Sequence, residues 1–286
     1  MIRYDMPRAE YDALSAEHWS TLKHIARSPA HYLHSVLAAH ADMDTDALAF
    51  GRALHLAVLE PSRCAQEIAV WDGGTRRGKA WEAFAAEHAG LELITRAQRQ
   101  KIGSMVASIS NTTEIAAMLT GGNAEVSIAW KDADTGLDCK GRLDYVREPS
   151  DSLKDAGGII DLKTCRDASP DAFGRASLRY GYHGQAAFYC DGLAANSLSG
   201  RPLPYSIIAI EVAPPYVAQV YRLSEDVIEL GREEYRRCLD RVAECKRSGQ
   251  WPGYSARQMD LQLPKWAWGN DDDLEALGLE FGETDE

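Results

Sequence analysis

Apolar positions recur at helical spacing through the first 120 residues, alternate with polar ones from about 124 to 223, and return to helical spacing after 224. The opening, EYDALSAEHWSTLKHIARSPAHYLHSVL, reads as two short helices, with Ser20 capping the first and Ser28-Pro29 starting the second. A third helix over 45–59 stops before Pro61 and would bury Leu48, Leu54, Val58 and Leu59 along one side. Two more, over 95–109 and 112–119, are amphipathic enough to lie on a sheet, and Gly121-Gly122 ends the helical part.

In AEVSIAW, Val126, Ile128 and Trp130 face one way while Glu125, Ser127 and Ala129 face the other; DADTG is a turn, and LDCKGRLDYV returns as the second arm of a hairpin. Gly157-Gly158 opens another strand, GGIIDLKT. Ser169-Pro170 starts a helix, and a further helix spans 183–195. YSIIAIEV and YVAQVYRL pair antiparallel through the APP turn, and Ser224 caps a long helix to 248 that buries Cys238, Leu239, Val242 and Cys245. The expected fold class is therefore α/β, with a central mixed sheet flanked by helices from both ends of the chain. A single domain is expected over 1–269, with a mainly helical part to 120, a sheet core over 121–223 and a C-terminal helix and extension over 224–269. Residues 270–286 are expected to form a loosely ordered acidic tail.

The chain of 286 residues is 45% apolar, ample for a real core. Its formal charge of −12 argues against a nucleic-acid partner until its distribution is seen. From Asp271 onward there are eight acids and no base, so residues 1–270 carry only −4. A carboxylate-built metal site would itself add acidity, so a local basic surface on DNA stays compatible with this balance. No apolar run reaches membrane-spanning length and the first residues are too polar for a signal peptide, so a cytoplasmic protein without a membrane partner is expected. The six cysteines form no CxxC pair and support neither a zinc knuckle nor a four-cysteine iron–sulfur site.

Gly73, Gly78 and Lys79 imitate a phosphate-binding loop, but Ala80 stands where a hydroxyl should hold Mg²⁺, and ATP binding is not expected. Arg76, Arg77 and Lys79 read instead as a flexible basic loop on backbone phosphates or, equally well, as an ordinary solvated loop, and Arg175 and Arg179 add basic character further on. The organising stretch runs from Asp144 to Tyr189. Alternation sends Asp161 and Lys163 to one side of their strand while Leu162 turns to the other, and Asp144 joins them if the two strands pair. Carboxylates beside a lysine suit phosphodiester hydrolysis with a bound Mg²⁺. Gln185 and Tyr189, one helical turn apart, could reach the same cluster, whereas Glu125 could join it or be solvated. His55, among leucines, reads by itself as a hydrogen-bonded core residue.

Taken in order, EYDALS…LKHIARSPAHYL, FGRALHLAVLEP, TRRGKAWEAF, AEVSIAWKDADTGLDCKGRLDYV, IIDLKT, YHGQAAFYCDG and WP…LPKWA resemble the exonuclease domain of the exonuclease VIII family, phage-type recombination nucleases within the PD-(D/E)xK superfamily. The resemblance implies metal ligation by His55, Asp144, Asp161 and the Leu162 carbonyl, with Lys163 as the catalytic lysine. Gln185 and Tyr189 match the Gln-x-x-x-Tyr segment, and Glu125 matches an acid on the preceding strand. Leu143 departs from the proline that often precedes the first aspartate.

It also implies a Mg²⁺-dependent, processive 5′→3′ exonuclease, with Mn²⁺ able to substitute. Its product would be linear duplex DNA carrying 3′ single-stranded overhangs. A homo-oligomeric ring, a trimer or tetramer, and a single-strand annealing recombinase as partner are implied as well. Two rivals stand beside this reading: a non-catalytic DNA-binding recombination scaffold of the same fold, and a PD-(D/E)xK endonuclease.

Overall fold

A computed structural model describes residues 1–38, 45–149, 157–196, 202–255 and 257–263. The expected acidic tail over 270–286 lies outside the described residues. In chain order the strands are β1 (Ile2–Arg3), β2 (Ile68–Trp71), β3 (Glu92–Thr95), β4 (Asn123–Lys131), β5 (Asp138–Arg147), β6 (Gly158–Cys165), β7 (Tyr205–Glu211) and β8 (Ala218–Arg222). The α-helices are α1 (Arg8–Ala13), α2 (Trp19–Leu22), α3 (Pro29–Ala38), α4 (Asp46–Leu59), α5 (Cys64–Glu67), α6 (Lys79–Glu87), α7 (Arg96–Asn111), α8 (Thr113–Met118), α9 (Pro170–Tyr180), α10 (Tyr182–Ala194) and α11 (Glu225–Ser248). By contacts, residues Met1–Pro252 form one compact unit, and Gly253 onward belongs to another. Among the described residues no helix is long and apolar enough to cross a membrane.

A six-stranded mixed sheet runs in the order β1-β4-β5-β6-β7-β8. All neighbours are antiparallel except β6 and β7. Alternation along the central strands sends Ile160 and Ile208 to one layer and Ile159 and Ile207 to the other, so both faces must be covered. On the first face lie Ala53 and Leu54 of α4 with Ile102, Met105 and Ile109 of α7; on the second lie Ala186, Cys190 and Leu193 of α10. The capping rules that place these helices are local. Thr95 and Gln98 close a reciprocal capping box at the start of α7, and the hydroxyls of Thr45 and Ser224 accept the amides of Leu48 and Val227.

Two close approaches hold α10. The Trp19 ring lies so near Gly184 that a Cβ there would meet it at 2.3 Å. On the other side, a Cβ on Gly231 of α11 would meet the His183 carbonyl oxygen at 2.1 Å. Glycine at both positions lets α10 be gripped between the N-terminal helices and α11. The contact of His183 Nε2 with Glu234 Oε2, at 2.6 Å, fixes the same joint.

Four expectations are corrected. Ser20 is not a cap: α2 begins at Trp19, and the Ser20 hydroxyl bonds His18 Nδ1 at 2.6 Å. Leu48 is 55% exposed because six residues of α-helix turn it well away from Leu54, and Ala49, Phe50, Ala53 and Leu56 do the burying instead. The main sheet gains β1, paired through Ile2 with Ile128. A separate parallel pair, β2 and β3, sits among the N-terminal helices, pinned to α4 by Arg52 bonding both oxygens of Glu92 at 2.6 and 2.9 Å.

Candidate active site

The site is built where β5 and β6 part. Their ladder pairs Arg147 with Gly158, Val146 with Ile159 and Tyr145 with Ile160, and then ends. The next residues on the two strands are Asp144 and Asp161. Instead of a ladder partner, the Leu162 amide finds a carboxylate, donating to Asp144 Oδ2 at 2.8 Å. In an extended strand one residue's N–H and C=O leave on the same edge, so the Leu162 carbonyl is also directed into this fork. Beyond it β6 continues only with β7, paired parallel through Cys165.

Across from Asp144 on β4 stands Glu125, whose φ of 52° coincides with a missing rung between Ala124–Tyr145 and Val126–Leu143, the register being the same on both sides. A left-handed backbone on a side-chain-bearing residue is strained. Arg142, two residues before Asp144 and so on its side of the strand, donates from Nε to Glu125 Oε2 at 2.6 Å and from Nη1 to the Met6 carbonyl at 3.1 Å. It therefore fixes the direction of the Glu125 carboxylate. From above, α4 brings His55, whose Nδ1 lies 3.6 Å from Asp144 Oδ2. Ligand atoms of His55, Glu125 and Asp144 all lie within 4.8 Å of one another.

Asp161, 2% exposed, and Lys163 form the other wall. Lys163 Nζ lies 2.6 Å from the buried Asp161 Oδ2, a close ion pair. Gln185 Nε2 donates to Asp161 Oδ1 at 3.3 Å. One turn on along α10, Tyr189 packs against Gly141, where a Cβ would meet its ring at 2.9 Å, and burial raises its hydroxyl pKa well above the usual value.

The electrostatics describe a site short of positive charge. Burial, with the nearby Asp161 and Glu125 carboxylates, pushes Asp144 up to about 6 despite His55 and Lys163. For Lys163 burial works against the ammonium, but the Asp161 and Asp144 carboxylates outweigh it and hold the pKa above the usual lysine range. In the metal-free site Lys163 is thus held as a cation and hydrogen-bond donor.

A family model for the "PDDEXK-like domain of unknown function (DUF3799)" matches residues 18–261, most of the chain. The chain belongs to this family. As a PDDEXK-like domain it is nuclease-like in fold, and a solved structure agrees. The crystal structure of a "Putative exonuclease" from Eubacterium rectale superposes with a TM-score of 0.63 at 13% identity, covering 93% of this chain and 99% of that one. At that identity the likeness is one of fold. No curated protein matches in sequence.

This PDDEXK-like site draws together His55, Glu125 and Asp144 as one group and Asp161, Lys163 and Gln185 as another, joined through the Leu162 amide. Arg76 corrects the expectation of a flexible phosphate-gripping loop: it pairs with Asp46 at 2.5 Å, donates to the Leu93 carbonyl and to Gln98, and lies over the Trp81 ring. It is a structural pin. Arg77 and Lys79 beside it, and Arg175 and Arg179 on α9, are exposed. Arg142 was missed by the sequence reading, although its two-residue spacing from Asp144 marks it as facing the same way.

The donor set fits a hard divalent cation. Two carboxylates and an imidazole within 4.8 Å, with a carboxyl pKa raised by burial and by neighbouring acids, are what a divalent cation would relieve.

Proposed function

We propose that this chain is a Mg²⁺-dependent exodeoxyribonuclease that degrades one strand of linear duplex DNA 5′→3′ and leaves 3′ single-stranded overhangs for recombination by strand annealing. The observation that carries the hydrolytic part is the opened strand fork, with His55, Glu125 and Asp144 on one side and Asp161 with Lys163 on the other. Polarity, an oligomeric ring and an annealing partner rest on the resemblance to the exonuclease VIII family.

A divalent cation held by His55, Glu125 and Asp144, with Asp161 and the Leu162 carbonyl at hand, would supply Lewis-acid neutralisation of the scissile phosphate and acidify an attacking water. The chain's own residues do the rest. Lys163, kept protonated, donates to the water or to a phosphate oxygen and balances charge as it develops. Gln185 holds Asp161 in place, and Arg142 aims Glu125. Tyr189, neutral at any working pH, closes the floor.

The test is incubation with Mg²⁺ of linear duplexes labelled separately at each end, beside closed circular DNA. Release of label from the 5′ ends alone, with intact circles, is the expected result; nicked circles would instead make the protein an endonuclease, and inert DNA a binding scaffold. Lys163→Ala should bind DNA but cleave about 10²–10³-fold more slowly. Cleavage by this variant at the wild-type rate would remove the lysine from the mechanism.

A further inference from the structure

Outward from Lys163 runs an aromatic path that the hydrolytic centre does not use. The Lys163 ammonium lies over the Tyr182 ring, 5.1 Å from its centroid, and the Tyr182 ring stacks on Tyr180 at 5.8 Å with 29° between planes. Gly181, with φ of 72°, joins α9 to α10 and turns these two tyrosines together. Tyr182 is anchored from behind by Phe173 at 6.0 Å, whereas Tyr180 is 50% exposed at the end of α9.

The surroundings are cationic. Lys23 donates to the Tyr180 carbonyl at 3.5 Å and has no carboxylate partner among the described residues; burial and the Lys163 ammonium both push its pKa down. Exposed Arg179 holds its guanidinium 5.8 Å from the Tyr180 ring, at the outer limit of a cation–π contact, where an arriving group could displace it. A ring pair half-exposed at Tyr180, with Lys23 and Arg179 beside it and continuous with the catalytic lysine, suits a flat π-system carrying phosphate.

We infer that Tyr180 and Tyr182 form a stacking site for an unpaired nucleobase of the DNA strand whose phosphate lies at Lys163. This rests on the proposed nuclease function and adds that the strand is engaged with its end frayed. Base–aromatic stacking reads no sequence, so the site grips every base alike.

The test uses the full chain in EDTA and single-stranded oligonucleotides bearing 2-aminopurine at one end or the other, against the same oligonucleotides abasic at that position. Wild type should quench the probe, and Tyr180→Ala should lose that quenching and bind about 5- to 100-fold more weakly. Tyr180→Phe should behave as wild type, and on abasic DNA wild type and Tyr180→Ala should bind equally. Unchanged binding by Tyr180→Ala, or an equal loss on abasic DNA, would overturn the stacking site while leaving the nuclease reading intact. A wild-type protein that neither binds these strands nor cleaves duplex DNA with Mg²⁺ would overturn both.

Discussion

Replacing Asp144 by Asn should make the metal-free protein more stable while removing its response to divalent cations. The Asp144 side chain is 14% exposed, and burial, with the nearby Asp161 and Glu125 carboxylates, raises its pKa from 3.8 to about 6. At about 1.36 kcal/mol per unit, keeping this carboxylate ionised in the folded state costs on the order of 3 kcal/mol. The sign follows from proton binding: between the two pKa values the folded state holds more protons than the unfolded one, so stability falls as pH rises through this window. Below about pH 4 the group is protonated in both states and the cost vanishes; above about 6 it is present in full. Asn carries no charge and can still accept the Leu162 amide through its carbonyl oxygen. With an unfolding entropy of about 2.1 cal/mol/K per residue, the gain corresponds to roughly 5 °C in Tm. Thermal unfolding in EDTA at about pH 4.5 and 7.5 would show it, with the variant's advantage at the lower pH only about a third of that at the higher. Added Mn²⁺ should then raise the Tm of wild type alone. A variant gaining nothing between the two pH values would refute the claim that burial beside other acids strains this carboxylate.

Arg142→Ala should weaken Mn²⁺ binding about 10- to 100-fold by calorimetry, because Glu125 loses the 2.6 Å bond that aims it; unchanged affinity would make Arg142 a bystander. Gly231→Ala should cost about 1–3 kcal/mol in urea unfolding, since its Cβ would press on the His183 carbonyl oxygen; a fully stable variant would mean that α10 and α11 can slide apart freely.

Elements whose limits are set by neighbours in sequence could be read directly. Thr95 and Ser224 cap α7 and α11, Ser28-Pro29 opens α3, and the turn DADTG returns β4 into β5. Elements set by distant partners could not. β1 is two residues long and exists because Ile2 meets Ile128, too short to show any period. β2 and β3, four residues each, carry no alternation that marks them as partners across the intervening helix. Arg76 lies in a glycine-flanked loop that reads as mobile, but its partners Asp46, Leu93 and Gln98 are brought to it only by tertiary structure. In the site, the Asp-x-Lys spacing dictated that Asp161 and Lys163 would meet, because strand geometry alone decides it. The grouping of Glu125 with His55 and Asp144 depends on a left-handed residue in mid-strand, which alternation does not announce.

The parting of β5 from β6 has a consequence for ion choice. Oxygen donors of the candidate centre come from different strands, so the gap available to a cation is measured by how widely the backbones diverge beyond Tyr145 and Ile160. Magnesium demands oxygens at about 2.0–2.1 Å and calcium accepts them at about 2.3–2.6 Å. Discrimination by ionic radius is thereby delegated to apolar packing behind the last rung, and substitutions that touch no donor atom can retune it.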